Sequence, residues 1–201
     1  MKTVQTHNTP PLETARLRLR RFTPDDLDAL FLLYSDRDVN RFLPWFPLTT
    51  RAEAQELLER DYLACYQQPR GYRYAICPRE ENVPIGYVHV SLSEGFDLGY
   101  ALRPDFWGRG LAAEACAAVL QLLREDGLPY VTATHDVNNP RSGAVMRRLG
   151  MRYQYSYREQ WQPKNYPVVF RLYQCNLDGR EERVYTRYRE QTDRWFVEPG
   201  L

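Results

Sequence analysis

A glycine-rich turn between a strand pattern and a long alanine-rich helix limits the folds open to this chain more than any other segment. Alternating apolar residues over 96–102 predict a strand that ends at Pro104. The turn Trp107-Gly108-Arg109-Gly110 follows, and 111–125 then carries apolar residues at helical spacing. The chain must therefore pass from a strand into a helix within a few residues.

The start of such a helix is a candidate anion site. Its first backbone N–H groups have no intrahelical partner and carry a partial positive charge. Glycines remove the side chains that would keep a phosphate away from these amides, and they permit positive φ. The turn therefore suits a pyrophosphate, although an ordinary tight turn with two glycines explains the same residues. It matches neither a Walker loop, since Gly-Lys-Ser/Thr is absent, nor the dinucleotide fingerprint, which needs a third glycine after a parallel strand.

The remaining pattern predicts an α/β fold with one mixed sheet and helices on both faces, in the order β-α-α-β-β-β-α-β-α-β-β. Three short strands joined by tight turns predict an antiparallel meander, and two strand–helix–strand passages follow it. Thr23 is a predicted N-cap, and Thr50 with Glu53 forms a predicted capping box for a helix reaching about Tyr66. The other predicted helices are 111–125 and 139–148, and the predicted strands are 15–22, 72–77, 84–92, 96–102, 130–134, 152–161 and 166–176.

No repeat, linker or low-complexity tract divides the 201 residues, so we predict one domain. Residues 1–13 are polar, contain two prolines and are predicted to form a loose leader. The domain proper is predicted over 14–178. The charged and aromatic residues 179–201 are predicted to extend the same domain, with a short helix that presents Tyr185 and Tyr188 on one side.

Composition and charge exclude several classes of protein. Apolar residues make up 43% and charged residues 26% of the chain, with a net charge of +1, which is the balance of a globular protein. Basic and acidic residues are interleaved, so no basic stripe predicts nucleic-acid binding. No apolar run approaches the ~18 residues that span a bilayer, and the N-terminus lacks the apolar core of a signal peptide. We therefore expect a cytoplasmic protein with no membrane partner.

The cysteines and histidines form no metal-binding pattern. They are scattered, without a Cys-x-x-Cys pair or a histidine at metal spacing, so we expect no metal and reduced, buried thiols. Cys116 lies inside the apolar stripe of 111–125 and is not a candidate nucleophile. The full set is Cys65, Cys77, Cys116, Cys175, His7, His89 and His135.

The segment Trp107-Gly108-Arg109-Gly110-Leu111-Ala112 resembles the cofactor motif Gln/Arg-x-x-Gly-x-Gly/Ala of the GNAT superfamily of N-acetyltransferases. The nearest branch is the one that contains the ribosomal-protein alanine N-acetyltransferases, where an aromatic residue such as Trp107 commonly replaces the first Gln/Arg. The resemblance extends from about Thr14 to Leu177. Further pieces occur in the family's order: Leu17-Arg18-Leu19-Arg20, Leu43-Pro44-Trp45, Gly99-Tyr100, Asn139-x-x-Ser142 and Leu149-Gly150-Met151.

The resemblance implies a single-domain GNAT-like fold whose twisted central sheet opens in a V between the strands 96–102 and 130–134. In the family, the exposed strand edge holds the pantetheine arm of acetyl-CoA like an additional strand, here with the backbone of Leu102 and Arg103. The Arg109 side chain is implied to lie near the phosphates. The implied pyrophosphate site is the motif itself: Trp107, Gly108, Arg109, Gly110, Leu111 and Ala112.

Asn139 and Ser142 are candidates at the start of the helix 139–148. Asn139 is explained equally by an N-cap before Pro140 and by the family's asparagine that approaches pantetheine. Ser142 is either an ordinary first-turn serine or, as the resemblance implies, the acid that protonates the leaving thiolate. Many family members use a tyrosine four residues later, where this chain has Met146, which cannot donate a proton. Ser142 is therefore the candidate acid.

Asp97 is the candidate general base. Acyl transfer needs a neutral amine, hence a base or a chain of waters, and donors aimed at the developing oxyanion. This branch usually carries a glutamate two residues before Gly99, and strand alternation puts Asp97 on the face of Gly99 and Ala101, which we expect nearest the cofactor. An exposed acid at a strand start is the plain alternative. His89 in the neighbouring strand is a rival base, or else a packed polar residue.

These features predict an N-acetyltransferase that moves an acetyl group from acetyl-CoA to a primary amine in a ternary complex, without a covalent enzyme intermediate. The acceptor is a protein N-terminus, by analogy with the branch alone, or a small amine such as a polyamine, amino acid or antibiotic. Trp45-Phe46 and the hairpin 153–166 either frame its pocket or pack as core. A non-catalytic acyl-CoA-binding module and an acyltransferase using succinyl-CoA are the alternatives. We expect a monomer or a homodimer.

Overall fold

An antiparallel sheet of five strands forms the first half of the molecule, in the order β1-β2-β3-β4-β5. The structure, a computed structural model, describes residues 8–201. In β2, Leu17 and Leu19 are buried while the alternating arginines are partly exposed, as period-two alternation requires. The strands are β1 (Leu12–Glu13), β2 (Leu17–Arg20), β3 (Tyr72–Pro78), β4 (Gly86–Val90) and β5 (Leu98–Leu102).

A second antiparallel sheet has four strands in the order β6-β8-β7-β9. Strands β7 and β8 form the long predicted hairpin, which is regular except for a bulge between Tyr153 and Tyr155. Strand β9 pairs with the outer edge of β7, so the C-terminal segment 179–201 is joined to this sheet. The strands are β6 (Tyr130–Asp136), β7 (Arg152–Trp161), β8 (Tyr166–Asn176) and β9 (Trp195–Phe196).

The two sheets meet where β5 and β6 run parallel. One parallel bridge joins Asp97 to Thr132, and the Thr132 N–H donates to the Phe96 carbonyl at 3.3 Å. Beyond this bridge β5 bonds to β4 and β6 bonds to β8, and within residues 8–201 the two strands are not paired with each other. The predicted mixed sheet with a V-shaped opening is therefore confirmed.

None of the helices in residues 8–201 has the length and apolar composition of a membrane span.

Helices cover both faces of the first sheet. The helices are α1 (Leu27–Ser35), α2 (Arg37–Asn40), α3 (Arg51–Leu57), α4 (Ala64–Tyr66), α5 (Leu111–Glu125), α6 (Pro140–Arg148) and α7 (Arg187–Glu190), and a π-helical turn (Leu58–Leu63) makes α3 and α4 continuous.

Alternate residues of β5 face different helices. Leu98 and Leu102 are buried in a core shared with α5 and with Met146 of α6. Ala101 packs on the opposite face, against a second core that includes Tyr62 and α1. A residue's place in the alternation of β5 therefore decides which side of the opening its side chain serves.

The predicted elements occur, with bounds that shift by a few residues. Helix 111–125 and the hairpin strands 152–161 and 166–176 have the predicted bounds, and the capping box of Thr50 and Glu53 is present. The sequence pattern did not predict β1, α2 or β9. All three are too short to show a period of their own, since α2 has four residues and β1 and β9 have two each.

The prediction of a loose leader is wrong for residues 8–13, while residues 1–7 lie outside the described residues. Asn8 and Thr9 are buried, and residues 12–13 form β1. The Asn8 Nδ2 donates to the carbonyl of Cys65 at 2.7 Å and to that of Gln68 at 2.9 Å. These polar side chains satisfy carbonyls at the end of α4 instead of facing water, which composition alone cannot show.

Candidate active site

The glycine-rich turn presents bare backbone at the start of α5. Gly108 and Gly110 have φ of +73° and +75°, a region that favours glycine. Gly110 is the N-cap of α5, and within residues 8–201 no side chain caps this end. The Gly110 carbonyl accepts from the Glu114 N–H at 3.1 Å, so the amides of residues 111–113 precede the first intrahelical bond. The geometry predicted for a phosphate site is thus present at this turn.

Trp107 ties this turn to the end of β5. Its indole N–H donates to the Leu102 carbonyl at 2.7 Å, and its ring packs against both cores. The Arg141 guanidinium lies over the same ring, 5.3 Å from its centroid. The Trp107 side chain therefore holds the turn against the end of β5.

Two arginines flank the turn from other parts of the chain. Arg16 pairs with Glu114 at 2.6 Å and also donates to the Arg109 carbonyl at 3.0 Å. An Arg148 Nη1 lies 3.3 Å from the point that a Cβ on Gly110 would occupy. Both arginines line an open groove of about 460 Å³ that extends from Gly110 along α5. This end of α5 is therefore basic, as an anion site requires.

The backbone of β5 has one edge turned toward the opening. Hydrogen bonds to β4 are made at Asp97, which accepts from Ser91, and at Arg103, which donates to Ile85 at 2.8 Å. The bonded positions recur every second residue in an antiparallel pair, so the backbone groups of the residues between them point away from β4. Those residues are Leu98, Tyr100 and Leu102.

The prediction for the backbone of Arg103 is corrected by this pattern. Its N–H is bonded to Ile85, and its carbonyl accepts from the Phe106 N–H at 3.0 Å. Leu102 has its carbonyl bonded to Trp107, whereas its N–H points to the opening. The edge available to a ligand is therefore formed by Tyr100 and Leu102, so the predicted Leu102 belongs to it and Arg103 does not.

Ser142 lies at the opening on the α6 side, next to Tyr100. The Asn139 Oδ1 accepts from the Ser142 N–H at 3.4 Å, so Asn139 is an N-cap. The Tyr100 hydroxyl lies 2.9 Å from the Ser142 Oγ and donates to the Ser142 carbonyl at 2.8 Å. Burial raises the pKa of Tyr100 well above its usual range, so its hydroxyl stays protonated. Met146 is buried in the core.

The sequence pattern does not assign a role to Tyr100, although it occurs in the Gly99-Tyr100 pair. The signal is the alternation of β5, which puts Tyr100 on the face of Leu98 and Leu102 and hence toward α5 and α6. The same alternation corrects the expectation for Asp97. The face nearest the glycine-rich turn and α6 is that of Tyr100, and Asp97 lies on the opposite face with Ala101.

Asp97 is held in an unusual state on that opposite face. Its Oδ1 is buried and has no hydrogen-bond partner among residues 8–201. Burial alone raises the pKa of Asp97 from 3.8 to about 6. A carboxylate with this pKa is ionised at neutral pH and can still accept a proton, which is what a general base near pH 7 needs.

The two histidines near the opening are each packed against a glycine. A Cβ on Gly99 would lie 2.5 Å from the His89 ring, and one on Gly143 would lie 2.6 Å from the His135 ring. Burial lowers the pKa of His89 to about 4 and lowers that of His135, so both rings are neutral at pH 7. The rival base His89 thus has a pKa less suited to the task than that of Asp97.

Aromatic rings line the side of the opening that carries Asp97. They form an aromatic stack of His89, Tyr87, Tyr34 and Trp45, in which successive ring centroids are 5.4, 5.5 and 6.0 Å apart. Trp45 is therefore part of this stack and also packs against the second core, whereas Phe46 is 60% exposed.

A lysine at the tip of the β7–β8 hairpin reaches the loop next to this stack. The Lys164 Nζ donates to the Asn40 carbonyl at 2.6 Å. The Asn40 Oδ1 in turn accepts from the Trp45 indole at 2.9 Å. The hairpin and the aromatic stack are therefore connected through α2.

Comparison with known proteins identifies the fold and the family. The model of the GNAT acetyltransferase domain matches residues 16–152. A Bacillus subtilis (strain 168) protein described as the uncharacterized N-acetyltransferase YoaA is 28% identical over 146 residues, which cover 70% of this chain and 82% of that protein.

Solved structures agree with this match. An acetyltransferase of the GNAT family from Bacillus anthracis superposes with a TM-score of 0.73 at 22% identity, over 84% of this chain and 99% of that one. RimL, a ribosomal L7/L12 alpha-N-protein acetyltransferase in complex with coenzyme A, does so with a TM-score of 0.73 at 20% identity and the same coverage. These structures share the predicted fold, and RimL represents the predicted branch. The chain belongs to the GNAT family of acetyltransferases and is a transferase enzyme.

Proposed function

We propose that the protein transfers an acetyl group from acetyl-CoA to a primary amine by direct attack in a ternary complex. The observation that carries this proposal is the juxtaposition of two features. Glycines with positive φ leave the first amides of α5 bare, and the unpaired edge of β5 opens directly beside them. A phosphate at the first feature and an extended amide-bearing arm along the second match the shape and chemistry of CoA.

Different residues on the α5 side of β5 would bind different parts of this donor. Amides of Gly108, Gly110 and the first turn of α5 would hold the pyrophosphate, with Arg148 and Arg109 near it. The Leu102 N–H would bond to pantetheine in the manner of an added strand. The Asn139 Nδ2 remains able to donate, since only its Oδ1 is used by the cap. The CoA complex of RimL supports CoA binding by this fold.

The two faces of β5 would divide the chemistry. On one face, Asp97 would take a proton from the ammonium group of the acceptor, directly or through water. The neutral amine that results would then attack the thioester carbonyl. A backbone N–H on the open edge of β5 would stabilise the oxyanion. On the other face, Ser142 would protonate the departing thiolate, held by the 2.9 Å contact with the Tyr100 hydroxyl. In this proposal, the V-shaped opening would give both faces access to the same reacting carbon.

Binding of CoA to matched glycine variants tests the donor site. CoA should stabilise the native protein by about 2.7 kcal/mol at 100 times its dissociation constant. Gly110→Ala should lose this shift, because a side chain is strained at this positive φ and its Cβ would lie 3.3 Å from the Arg148 Nη1, so the turn and its basic flank would have to move. Gly127→Ala is the matched control, since Gly127 also has a positive φ, +74°, at the other end of α5 with nothing within 4 Å. Equal CoA binding by the two variants would place the site elsewhere.

Thiol release then separates the alternatives to acetyl transfer. The native protein with acetyl-CoA and a library of amines should release CoA only when an acceptor is present. CoA binding without transfer to any amine would favour the non-catalytic binding module. Faster turnover with succinyl-CoA than with acetyl-CoA at saturating concentrations would identify the protein as an acyltransferase with a longer acyl donor.

A further inference from the structure

The face of β5 that carries Asp97 has a second wall opposite the aromatic stack. This wall consists of Tyr157 from β7 and of two tyrosines, Tyr185 and Tyr188, from the C-terminal segment 179–201. The structure therefore brings residues that lie far apart in the chain to one side of Asp97.

Ring contacts place these tyrosines beside Asp97. The Tyr185 hydroxyl lies 3.4 Å from the point that a Cβ on Gly95 would occupy, and Gly95 precedes Asp97 by two residues. Tyr188 meets Tyr185 edge to face at 5.2 Å and stacks on Tyr157, also at 5.2 Å, with an interplanar angle of 17°. After burial, the charge of Asp97 is the next cause that raises the pKa of Tyr188, in agreement with this closeness.

The segment 179–201 is fixed in this position by hydrogen bonds at both ends. The Tyr155 hydroxyl donates to the Tyr185 carbonyl at 2.9 Å, and the Tyr185 N–H donates to the Gln174 Oε1 at 2.7 Å. Near its end, Glu198 accepts from the Ser156 hydroxyl at 2.6 Å. These hydrogen bonds hold the segment 179–201 in place as part of this wall.

The charges around this space favour a cation. Asp97 has a buried, unpartnered Oδ1, and Glu159 follows Tyr157 by two residues on the same side of β7. Two basic side chains of the surrounding elements make contacts of their own. Lys164 donates to the Asn40 carbonyl, and the Arg189 guanidinium lies 5.3 Å from the centroid of the Trp195 ring. A carboxylate beside the acceptor's amino group would be brought next to Asp97 and would meet its negative charge.

The two walls are joined at one end. The Lys164 contact to Asn40 links the hairpin tip to α2, whose neighbours Tyr34 and Trp45 belong to the aromatic stack. An acceptor that entered at this end would have to part this contact, which favours a small molecule over a polypeptide.

Resting on the proposed function, we infer that the segment 179–201 completes the acceptor pocket. The pocket takes a small cationic amine with an aromatic or apolar body and no carboxylate beside its amino group. Tyrosine rings pack against the body and attract the ammonium, which Asp97 receives. Tyr188 is the specificity-determining residue of this wall.

A pair of acceptors that differ by one group tests the charge argument. Phenethylamine and phenylalanine share an aromatic body, and only phenylalanine carries the carboxylate. With saturating acetyl-CoA, phenethylamine should have a kcat/KM at least tenfold higher. A peptide with a free N-terminus and spermidine complete the panel. The inference is overturned if phenylalanine, the peptide or spermidine equals or exceeds phenethylamine.

Variants of the segment test the wall itself. Tyr188→Ala should raise the KM for phenethylamine at least tenfold and leave CoA binding unchanged, and Tyr188→Phe should restore the native KM because the ring remains. Phe196→Ala is the matched control, since Phe196 is an aromatic residue of the same segment that is 37% exposed in β9. An unchanged KM in Tyr188→Ala, or an equal rise in Phe196→Ala, would refute the role of Tyr188.

A binding measurement keeps this inference apart from the proposed function. Calorimetric titration of phenethylamine and phenylalanine into the CoA complex needs no turnover. Selective binding of phenethylamine without transfer would refute acetyl transfer and support the pocket. Transfer to amines without selectivity, with equal binding of both compounds, would support acetyl transfer and refute the pocket.

Discussion

On the α5 side of β5, the surface offered to a ligand is mostly backbone: two glycines, the first amides of a helix and the edge of a strand. On the other side it consists of side chains, namely Asp97, the aromatic stack and the tyrosines of the β7–β8 hairpin and the C-terminal segment. A backbone site depends on local conformation and tolerates changes in neighbouring side chains. A side-chain site depends on which distant segments fold against it. The first suits a donor shared by a whole family, and the second suits an acceptor that differs among its members.

The largest expected effect concerns Asp97 as the base on the side-chain face. Asp97→Asn keeps the size of the residue and removes its basicity, so the rate should fall about 10² to 10⁴-fold at pH 7. The native kcat/KM should decrease as pH falls through about 6, because protonated Asp97 cannot accept a proton. The Asp97→Asn variant should not show this decrease of kcat/KM at low pH. Stopped thiol-release assays from pH 5 to 9 measure both.

His89→Gln is the comparison for that experiment. With a pKa of about 4 and a buried Nδ1, His89 should contribute little to proton transfer. If His89→Gln loses its activity while Asp97→Asn stays active, the general base is His89. If neither change matters, solvent removes the proton and the acceptor side contributes positioning alone.

The same carboxylate should lower the stability of the fold. Its raised pKa means that the folded state gains stability below about pH 3.8 and loses it as pH rises through about 6. At pH 8 the ionised group should cost up to about 3 kcal/mol. Asp97→Asn should therefore unfold at higher denaturant than the native protein at pH 8, and the gap should narrow at pH 5. A gap that does not change with pH would show that Asp97 is well solvated.

On the cofactor face, Ser142→Ala should lower kcat about tenfold, which corresponds to about 1.4 kcal/mol of barrier, and weaken acetyl-CoA binding less. In the proposed role, the interaction of Ser142 would grow as charge develops on sulfur and would act on the transition state more than on the bound donor. Tyr100→Phe, which removes the hydroxyl 2.9 Å from Ser142, should show a smaller loss in the same direction. A larger loss in Tyr100→Phe would make Tyr100 the acid.

The smallest expected effect is that of Trp107→Phe. The change leaves the Leu102 carbonyl without its indole donor at 2.7 Å, which should cost about 1 kcal/mol of unfolding free energy. Because the indole also ties the turn to β5, the KM for acetyl-CoA should rise modestly while the KM for the acceptor stays the same. Thermal unfolding and initial-rate kinetics check the two parts, and a change confined to the acceptor would contradict the assignment.

The backbone face was largely predictable from the sequence because its signals are local. The glycines at 108 and 110, the apolar stripe of α5 and the cap at Asn139 each lie within a few residues of what they determine. The prediction for the backbone of Arg103 could not be made correctly from the sequence, since which amides face the opening depends on the register of β4 against β5. The side-chain face was not predictable to the same degree. No local pattern shows that Tyr188 reaches Tyr157, because the contact depends on how the C-terminal segment returns across the hairpin.

The packing of each histidine against a glycine has a consequence for how this opening can change in evolution. An imidazole at 89 occupies the space that a side chain at 99 would need, and the same holds for 135 and 143. Neither glycine can gain a methyl group while its histidine stays in place, and a smaller residue in place of either histidine leaves room for one. We therefore expect the two positions of each pair to vary together among relatives, with a side chain at the glycine position only where the histidine is replaced by a smaller residue.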